Sequence, residues 1–351
     1  MRLLADVSSH GFGHMMQTSC VLAALHDRTD RLAVRLRSAL PAAVVARFAP
    51  LPVELGPPPF DPALTMSAPD TIDVAATAQN YRDFAEAFET AVAEAENEIA
   101  AFHPDLVFSD IAAPGLVAAR RAGVPAVALC SLNWADILRA VMPPGSVPTQ
   151  ALALLEDAYG GADIFLMPDP SMAMPNRGNQ RRIGPIGRHG TPCPDRIRAI
   201  LGLPEDRPLG LLSWGGWDNA VGAGFLAALP HDIAWISDAG PLLVQGIDHV
   251  DLIASCAIVV AKPGYGTFVD TIGNGVRLVF TDRPGWPETP ALAAWALRHG
   301  AAREIHKKTA DAEAAEAIAE LMAETPPAPP ALTGADEAAE IICDEILPHV
   351  R

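Results

Sequence analysis

The sequence has few cysteines, few aromatic residues and no long apolar run. Its five cysteines are scattered among 351 residues and are never spaced as Cys-x-x-Cys, which argues against a disulfide framework and a zinc site. No apolar stretch reaches the roughly 18 to 20 residues that a helix needs to cross a bilayer, and the N-terminus lacks the features of a secretory signal. These absences predict a soluble, reduced, cytoplasmic protein without a transmembrane segment.

Basic residues are also in deficit. The chain has 25 Lys and Arg residues against 42 Asp and Glu residues, a formal net charge of −17. The phosphates of nucleic acids and anionic lipids repel such a chain, so we expect neither as a partner. A local basic stretch from Arg177 to Arg188 is expected to be a solvated linker. No Asp-x-Asp occurs that could hold a divalent cation on a diphosphate, so we expect no metal and no other cofactor.

Length and pattern predict two α/β domains. Half of the residues are hydrophobic and 19% are charged, as in compact globular proteins. Short apolar runs alternate with helical patterns, which indicates parallel sheets covered by helices. We predict an N-terminal domain over 1–167, a linker rich in Pro, Gly and Arg over 168–194, a C-terminal domain over 195–330, and a last helix within 331–351. Two Rossmann-like, doubly wound domains of this kind would face a central cleft at the carboxyl ends of their strands.

The loop after the first strand carries the first motif, Ser8-Ser9-His10-Gly11-Phe12-Gly13-His14. Its two glycines allow the backbone to turn sharply beside a ligand, and the helix that follows offers amides to anionic groups. The third glycine of a dinucleotide fingerprint is missing. The alternative interpretation is a tight turn with a capping histidine.

Asp110 follows the fourth strand. The loops after strands one and four of a parallel sheet open on the same edge, so we predict that Asp110 and His14 meet there. A carboxylate on one imidazole nitrogen raises the basicity of the other, which would make His14 a general base for an acceptor hydroxyl. Alternatively, Asp110 caps the next helix. Asn133 and Trp134 are also assigned to this acceptor side of the cleft, and 55–69 predicts a long loop that could carry binding determinants.

The second half carries the strongest motif, Ala261-Lys262-Pro263-Gly264-Tyr265-Gly266-Thr267-Phe268-Val269-Asp270. Gly264 and Gly266 would let a diphosphate approach the helix amides, and Asp270 could accept hydrogen bonds from ribose hydroxyls. Glu288, after the next strand, could hold sugar hydroxyls. A third glycine turn is Ser213-Trp214-Gly215-Gly216-Trp217, whose tryptophans could stack on a ligand or pack between domains.

These segments resemble a known family. The residues Gly11-Phe12-Gly13-His14, Lys262 to Thr267 with Asp270, and Trp286-Pro287-Glu288 are similar to GT-B glycosyltransferases related to the bacterial N-acetylglucosaminyltransferase of peptidoglycan-precursor synthesis. They resemble still more the glycosyltransferase-like domain of plant L-arabinokinases, in which a His-Gly-Phe-Gly-His stretch and a Ser-Asp after strand four recur. The resemblance covers nearly the whole chain, although the kinase domain of those proteins is absent.

The resemblance implies a nucleotide-sugar donor in the C-terminal domain, an acceptor on the N-terminal domain, and a last helix that crosses back to the first domain. It also implies inverting transfer. Asp270 stands where the family usually has Glu, one methylene longer. The resemblance also assigns the residues that would contact the donor. Gly215 and Gly216 would face its phosphates, Asp270 would hold the ribose and Glu288 the transferred sugar. The diphosphate would be contacted by Gly264, Tyr265, Gly266 and Thr267.

The function predicted from the sequence is metal-independent transfer of a hexose or related sugar from a nucleotide sugar to a hydroxyl-bearing acceptor. His14 would be the base and Asp110 would orient it. One alternative is a hydrolysing nucleotide-sugar 2-epimerase, which would release nucleotide from the donor alone. Another is a non-catalytic protein that binds nucleotide sugars.

Overall fold

A computed structural model describes residues 1–62, 64–68, 71–214 and 223–347. The chain divides into two compact units. The first contains Met1–Ile186 together with the C-terminal segment that begins at Thr333, and the second is Gly187–Leu332. Both units are built of helices and parallel strands. Among the described residues, no helix is long and apolar enough to cross a membrane.

The fourteen strands of the described residues are β1 (Arg2–Val7), β2 (Ala33–Arg37), β3 (Val53–Gly56), β4 (Met66–Ala68), β5 (Thr71–Ile72), β6 (Leu106–Asp110), β7 (Ala126–Leu129), β8 (Ile164–Pro168), β9 (Gln180–Ile183), β10 (Leu209–Ser213), β11 (Ala234–Ile236), β12 (Ile258–Ala261), β13 (Arg277–Thr281) and β14 (Ala302–Ile305).

The α-helices are α1 (Phe12–Arg28), α2 (Ala42–Phe48), α3 (Val74–Phe102), α4 (Ala113–Ala122), α5 (Trp134–Val141), α6 (Thr149–Gly160), α7 (Pro194–Leu201), α8 (Ala223–Ala228), α9 (Gly240–Val244), α10 (His249–Ser255), α11 (Tyr265–Gly273), α12 (Thr289–His299), α13 (Ala310–Ala323) and α14 (Gly334–Ile341). A π-helical turn, Ile342–Ile346, continues α14.

The first unit is organised around a seven-stranded parallel sheet of order β3-β2-β1-β6-β7-β8-β9. Side chains of β1 alternate between the two faces, as the period of a strand requires. Leu3 and Ala5 pack in one core with residues of α1 and α14, whereas Leu4 packs in another with residues of α3 and α4. Burial on both faces explains the continuous apolar runs of the inner strands β7 and β8.

Helix α3 shows why a long amphipathic pattern folds as one helix. Its N-terminus is capped by Asp73, whose carboxylate accepts a hydrogen bond from the Ala76 N–H at 2.9 Å. Its buried residues recur every three or four positions, which gives one apolar stripe facing the sheet. The residue after the helix, the C-cap His103, adopts the left-handed conformation with φ 47° and ends the helix.

The predicted linker over 168–194 needs correction. Four of its residues, Gln180–Ile183, form β9, an edge strand that pairs in parallel with β8. An edge strand has one neighbour and tolerates charged side chains, so Arg181 and Arg182 concealed it in the sequence. The division between the units falls at Ile186 and Gly187, inside the predicted linker, and α14 packs against α1 of the first unit.

The second unit has a five-stranded parallel sheet of order β11-β10-β12-β13-β14. One face of this sheet packs on α8 and α13 through a core that includes Val260, Phe225 and Leu321. Strands β12 and β13 are neighbours, so the loops that leave their carboxyl ends share one edge of the sheet. Ligands of open parallel sheets bind at this edge.

Candidate active site

His14 and Asp110 meet at the carboxyl edge of the first sheet. The imidazole Nδ1 lies 2.8 Å from Asp110 Oδ1, and both side chains are buried. β1 and β6 are adjacent, which brings residues 96 positions apart into contact. Burial raises the pKa of Asp110, while the neighbouring imidazole of His14 opposes the rise. With Nδ1–H donating to Asp110, the tautomer leaves Nε2 as the basic nitrogen of His14.

The structure also decides between the two interpretations of Asp110. Helix α4 begins after Ala112 and has no side-chain cap, so Asp110 does not serve as its N-cap. Its second carboxylate oxygen instead lies 3.5 Å from the hydroxyl of Thr18, one turn beyond His14 on α1. Asp110 is therefore held in place by groups of α1.

Glycines open the space at the start of α1. Gly11, the N-cap, has φ 93°, a conformation that favours glycine. A side chain at Gly13 would meet no atom within 4 Å, so the backbone here borders open space. The neighbouring Phe12 is 56% exposed and stacks on Phe48 with ring centroids 6.1 Å apart. The loop is thus a turn that a ligand can approach closely.

His10 and Trp134 adjoin the His14–Asp110 pair. The ring of His10 meets that of Trp134 edge-on at 4.9 Å, and the ring of His14 lies 6.1 Å from Trp134. Burial, together with the charge of His14, lowers the pKa of His10 to about 4, so His10 is neutral at pH 7. Trp134 is 3% exposed, so its ring is buried beside the two histidines.

Asn133 has a structural role rather than a place on the pocket surface. It is completely buried at the N-cap of α5, where its side-chain oxygen accepts a hydrogen bond from the Asp136 N–H at 2.9 Å. Its amide group donates to Asp136 Oδ2 at 2.7 Å. Asn133 therefore positions Trp134, the first residue of the helix.

Two residues near His14 were not identified from the sequence. Asp61 lies in the proline-rich loop predicted over 55–69, with Oδ2 3.8 Å from His10 Nε2. Cys130 follows β7, with its sulfur 3.6 Å from His14 Nδ1. The loop prediction indicated the region of Asp61, but no periodicity specifies where an irregular loop folds back. Cys130 could have been found from its place directly after a buried strand.

His14, Asp110 and Cys130 are also the kinds of residue that bind transition metals. One ligand atom of each lies within 4.8 Å of the others. His14 Nδ1, however, is already engaged with Asp110 at 2.8 Å. The geometry is that of a hydrogen-bonded pair beside a thiol.

In the second unit, the predicted diphosphate motif forms the start of α11. Gly264 is the N-cap, and no side chain caps the helix. A side chain at Gly264 would meet no atom within 4 Å, and Gly266 and Thr267 are partly exposed beside it, whereas Tyr265 is buried. First-turn N–H groups and the helix dipole favour an anion at such a position. Gly215 and Gly216, the other predicted phosphate contacts, lie outside the described residues.

The structure gives Asp270 a different role from the predicted ribose contact. Its side chain is 1% exposed, and both carboxylate oxygens accept hydrogen bonds from Arg188. Burial raises the pKa of Asp270 and the charge of Arg188 opposes the rise. Asp270 lies one turn after the partly exposed Gly266 on α11, but Arg188 covers its carboxylate, which is buried rather than open to a ligand.

Glu288 is placed at the same sheet edge as α11. It is the N-cap residue of α12 in the loop after β13, and it is 5% exposed. In the same loop, the Arg283 guanidinium stacks over the Trp286 ring at 3.9 Å from its centroid. Arg283 also lowers the pKa of Lys262, after the larger effect of burial. The loops after β12 and β13 thus bring cationic groups and a carboxylate to one edge.

No protein-family model matches the chain. No curated protein matches it.

Solved structures match the chain over nearly its whole length. The glycosyltransferase of kitacinnamycin is 18% identical, with a TM-score of 0.61 over 97% of this chain and 94% of that one. A UDP-glucosyltransferase from Polygonum tinctorium capable of glucosylating indoxyl is 14% identical, with a TM-score of 0.61 over 99% and 92%. The glycosyltransferase VinC in complex with dTDP is 17% identical, with a TM-score of 0.58 over 100% and 99%. The chain has the GT-B glycosyltransferase fold, with two Rossmann-like α/β domains.

Proposed function

We propose that the protein is a glycosyltransferase that transfers a sugar from a nucleotide-sugar donor to a hydroxyl-bearing acceptor. The observation that carries this proposal is the His14–Asp110 pair, 2.8 Å apart at the carboxyl edge of the first sheet. A base of this kind suits the activation of a hydroxyl. The GT-B fold and the open start of α11 support a nucleotide sugar as the donor.

In the proposed reaction, His14 Nε2 removes the proton of the acceptor hydroxyl. The oxygen then attacks the anomeric carbon while the bond from that carbon to the diphosphate breaks, and the electron pair leaves with the nucleoside diphosphate. Asp110 stabilises the imidazolium that forms on His14. Attack opposite to the leaving group would invert the anomeric centre.

The amides at the start of α11, beginning beside Gly264, would stabilise the charge that develops on the diphosphate. Glu288 would contact the transferred sugar, as the resemblance to the peptidoglycan-precursor and arabinokinase-type enzymes implies. Because a helix terminus can stabilise this charge, we propose that no metal is required. Asp270 has no part in this proposal as a ribose ligand, since Arg188 occupies its carboxylate.

The test incubates the full chain with UDP-glucose, UDP-N-acetylglucosamine or dTDP-glucose and a set of hydroxyl acceptors. Nucleoside diphosphate release and product mass are measured. We expect release that depends on the acceptor and a product heavier by one sugar residue. His14→Ala should lower product formation by about 10²- to 10⁴-fold. His26→Ala is the matched control, because His26 is exposed near the end of the same helix.

The same assay separates the alternatives. Nucleotide release from the donor alone, with a free sugar inverted at C2, would identify a hydrolysing 2-epimerase. Saturable binding of a nucleotide sugar without release in the presence of any acceptor would identify a binding protein. Either result would overturn the proposed transfer.

A further inference from the structure

Three side chains beside His14 carry buried polar atoms that lack hydrogen-bond partners. They are Asp61, with both carboxylate oxygens, His10, with Nε2, and Trp134, with Nε1. None of these atoms has a partner among the residues that the structure describes, and the side chain of Asp61 is only 6% exposed. His10 Nε2 lies 3.8 Å from Asp61 Oδ2, and the His10 and Trp134 rings are in edge contact. We call this group of three residues the polar recess.

Burial of these polar atoms without hydrogen-bond partners is unfavourable for the folded protein. A buried donor or acceptor without a partner has given up its hydrogen bonds to water for nothing, and most proteins pair nearly all such groups. Weak hydrogen bonds from the hydroxyl of Ser8 and the indole of Trp134 oppose the effect of burial on the pKa of Asp61. Neither reaches standard hydrogen-bond geometry with a carboxylate oxygen. The clustering of these atoms in one place therefore points to a polar ligand.

The mixture of donors and acceptors selects the kind of ligand. The Asp61 carboxylate accepts hydrogen bonds, the Trp134 indole only donates, and the His10 Nε2 can do either. An ammonium group has only donors, so it would leave the indole N–H unpaired. A carboxylate or phosphate has only acceptors and would be repelled by Asp61. A hydroxyl both donates and accepts, so it can satisfy Asp61 and Trp134 together.

The recess also lies against the proposed base. The ring of Trp134 is 6.1 Å from that of His14 and 4.9 Å from that of His10, so one small molecule can reach both positions. Building on the proposed glycosyl transfer, we propose that the acceptor carries two neighbouring hydroxyls. One is deprotonated by His14, and the other is bound in the recess by Asp61, His10 and Trp134. The acceptor class is thus a vicinal diol or catechol, and Asp61 is the residue that selects it.

The experiment compares acceptors that differ by one hydroxyl. Catechol is paired with phenol and cis-1,2-cyclohexanediol with cyclohexanol, each with the donor that gives the highest turnover. We expect the wild type to prefer the diol by about 10- to 100-fold in kcat/KM, mostly through KM, as loss of a hydrogen bond to a charged group predicts. Asp61→Asn and Asp61→Ala should reduce this ratio towards one.

The matched control is Asp27→Asn, an exposed carboxylate near the end of α1, which should leave the ratio at its wild-type value. Melting temperatures of all variants check that they fold. An unchanged diol preference in both Asp61 variants would overturn the inference. An equal loss of turnover with diols and mono-alcohols would also overturn it, since that result indicates a structural role.

A binding titration of catechol and phenol separates this inference from the proposed function. We expect catechol to bind the wild type at least about 10-fold more tightly than phenol, and we expect the difference to vanish in Asp61→Asn. Selective catechol binding without any sugar transfer would contradict the proposed function and support the polar recess as a diol site. Sugar transfer without selective catechol binding would contradict the diol site and support the proposed function.

Discussion

The guanidinium of Arg188 forms an ion pair with Asp270, with Nη2 2.6 Å from Oδ2. The backbone N–H of Arg188 donates to the other carboxylate oxygen at 2.8 Å. Asn274, the C-cap residue of α11, donates a hydrogen bond from its side-chain amide to the Arg188 carbonyl. Its side-chain oxygen accepts one from the Gly190 N–H, and both distances are 2.9 Å. The helix whose start is the proposed phosphate site thus anchors the segment by which the chain enters the second unit.

We expect Asp270→Asn to destabilise the second unit. The variant removes the charged partner of Arg188, whose side chain is 26% exposed and keeps part of its solvation, so we expect a loss of about 1 to 3 kcal/mol. Urea unfolding measures this free energy. As a control, Glu345→Gln removes the exposed partner of Arg181 and should change stability little. Weaker nucleotide binding by Asp270→Asn at unchanged stability would instead restore the ribose contact predicted from the sequence.

A second prediction concerns His14. His14→Ala should lower turnover by about 10²- to 10⁴-fold, the range for general acid–base catalysis, and should leave donor affinity nearly unchanged. Steady-state kinetics and calorimetric titration of the donor measure the two effects separately. His26→Ala should match the wild type in both. Parallel losses of affinity and turnover would make His14 a phosphate contact instead of a base.

Asp110→Asn should also lower turnover. An amide can hold the imidazole of His14 in place, but it cannot stabilise the imidazolium charge that forms during proton transfer. Thr18→Val tests the geometry separately, because the hydroxyl of Thr18 lies 3.5 Å from Asp110 Oδ2 and helps to hold that carboxylate. We expect a smaller loss for Thr18→Val. Turnover of Asp110→Asn equal to the wild type would show that the carboxylate has no role in the proton transfer.

The features that could be predicted from the sequence are those that follow from the order of the elements and from the spacing of apolar residues along the chain. Short apolar runs that alternate with helical patterns predicted the parallel sheets, since a sheet buried on both faces requires such runs. The meeting of His14 and Asp110 was predicted from the rule that the loops after parallel strands open at one edge of the sheet. The structure adds that β1 and β6 are neighbours, which brings the two residues into contact.

Features that depend on the packing of single residues were not predictable. The motif placed Asp270 near a ligand, but its burial against Arg188 depends on which face of α11 meets the segment at 188–190. Asp61 belongs to an irregular loop, where no repeating pattern links sequence to direction. Strand β9 was missed because its exposed arginines resemble a linker.

Metal removal tests the proposal that the transfer requires no divalent cation. We expect turnover to persist in EDTA and to gain nothing from Mg²⁺ or Mn²⁺, since the amides at the start of α11 would carry the leaving-group charge. Initial rates with and without chelator decide this. A collapse in EDTA that manganese or magnesium reverses would require a cation at the diphosphate. Recovery with zinc alone would instead implicate the cluster of His14, Asp110 and Cys130.

The last prediction concerns Asp61 and pH. Burial raises its pKa to about 6, whereas the ordinary value is 3.8. Between these values the folded protein binds more protons at Asp61 than the unfolded chain does, so its contribution to stability is present below about pH 4 and is lost as pH rises through 6. A shift of about two units corresponds to roughly 3 kcal/mol. Asp61→Asn cannot ionise and escapes this loss.

The difference in unfolding free energy between Asp61→Asn and the wild type should therefore shift in favour of the variant as pH rises from 4 to 7. His10 has the opposite sign, because its pKa is lowered to about 4, and protonation destabilises the fold as pH falls from 6.5. Both proteins retain His10, so most of its effect cancels in the difference. Urea titrations at pH 4, 5.5 and 7, with Asp27→Asn as control, measure the slope. A difference that stays flat across this range would show that Asp61 is not a buried ionisable group, and it would remove the acceptor of hydrogen bonds on which the diol site depends.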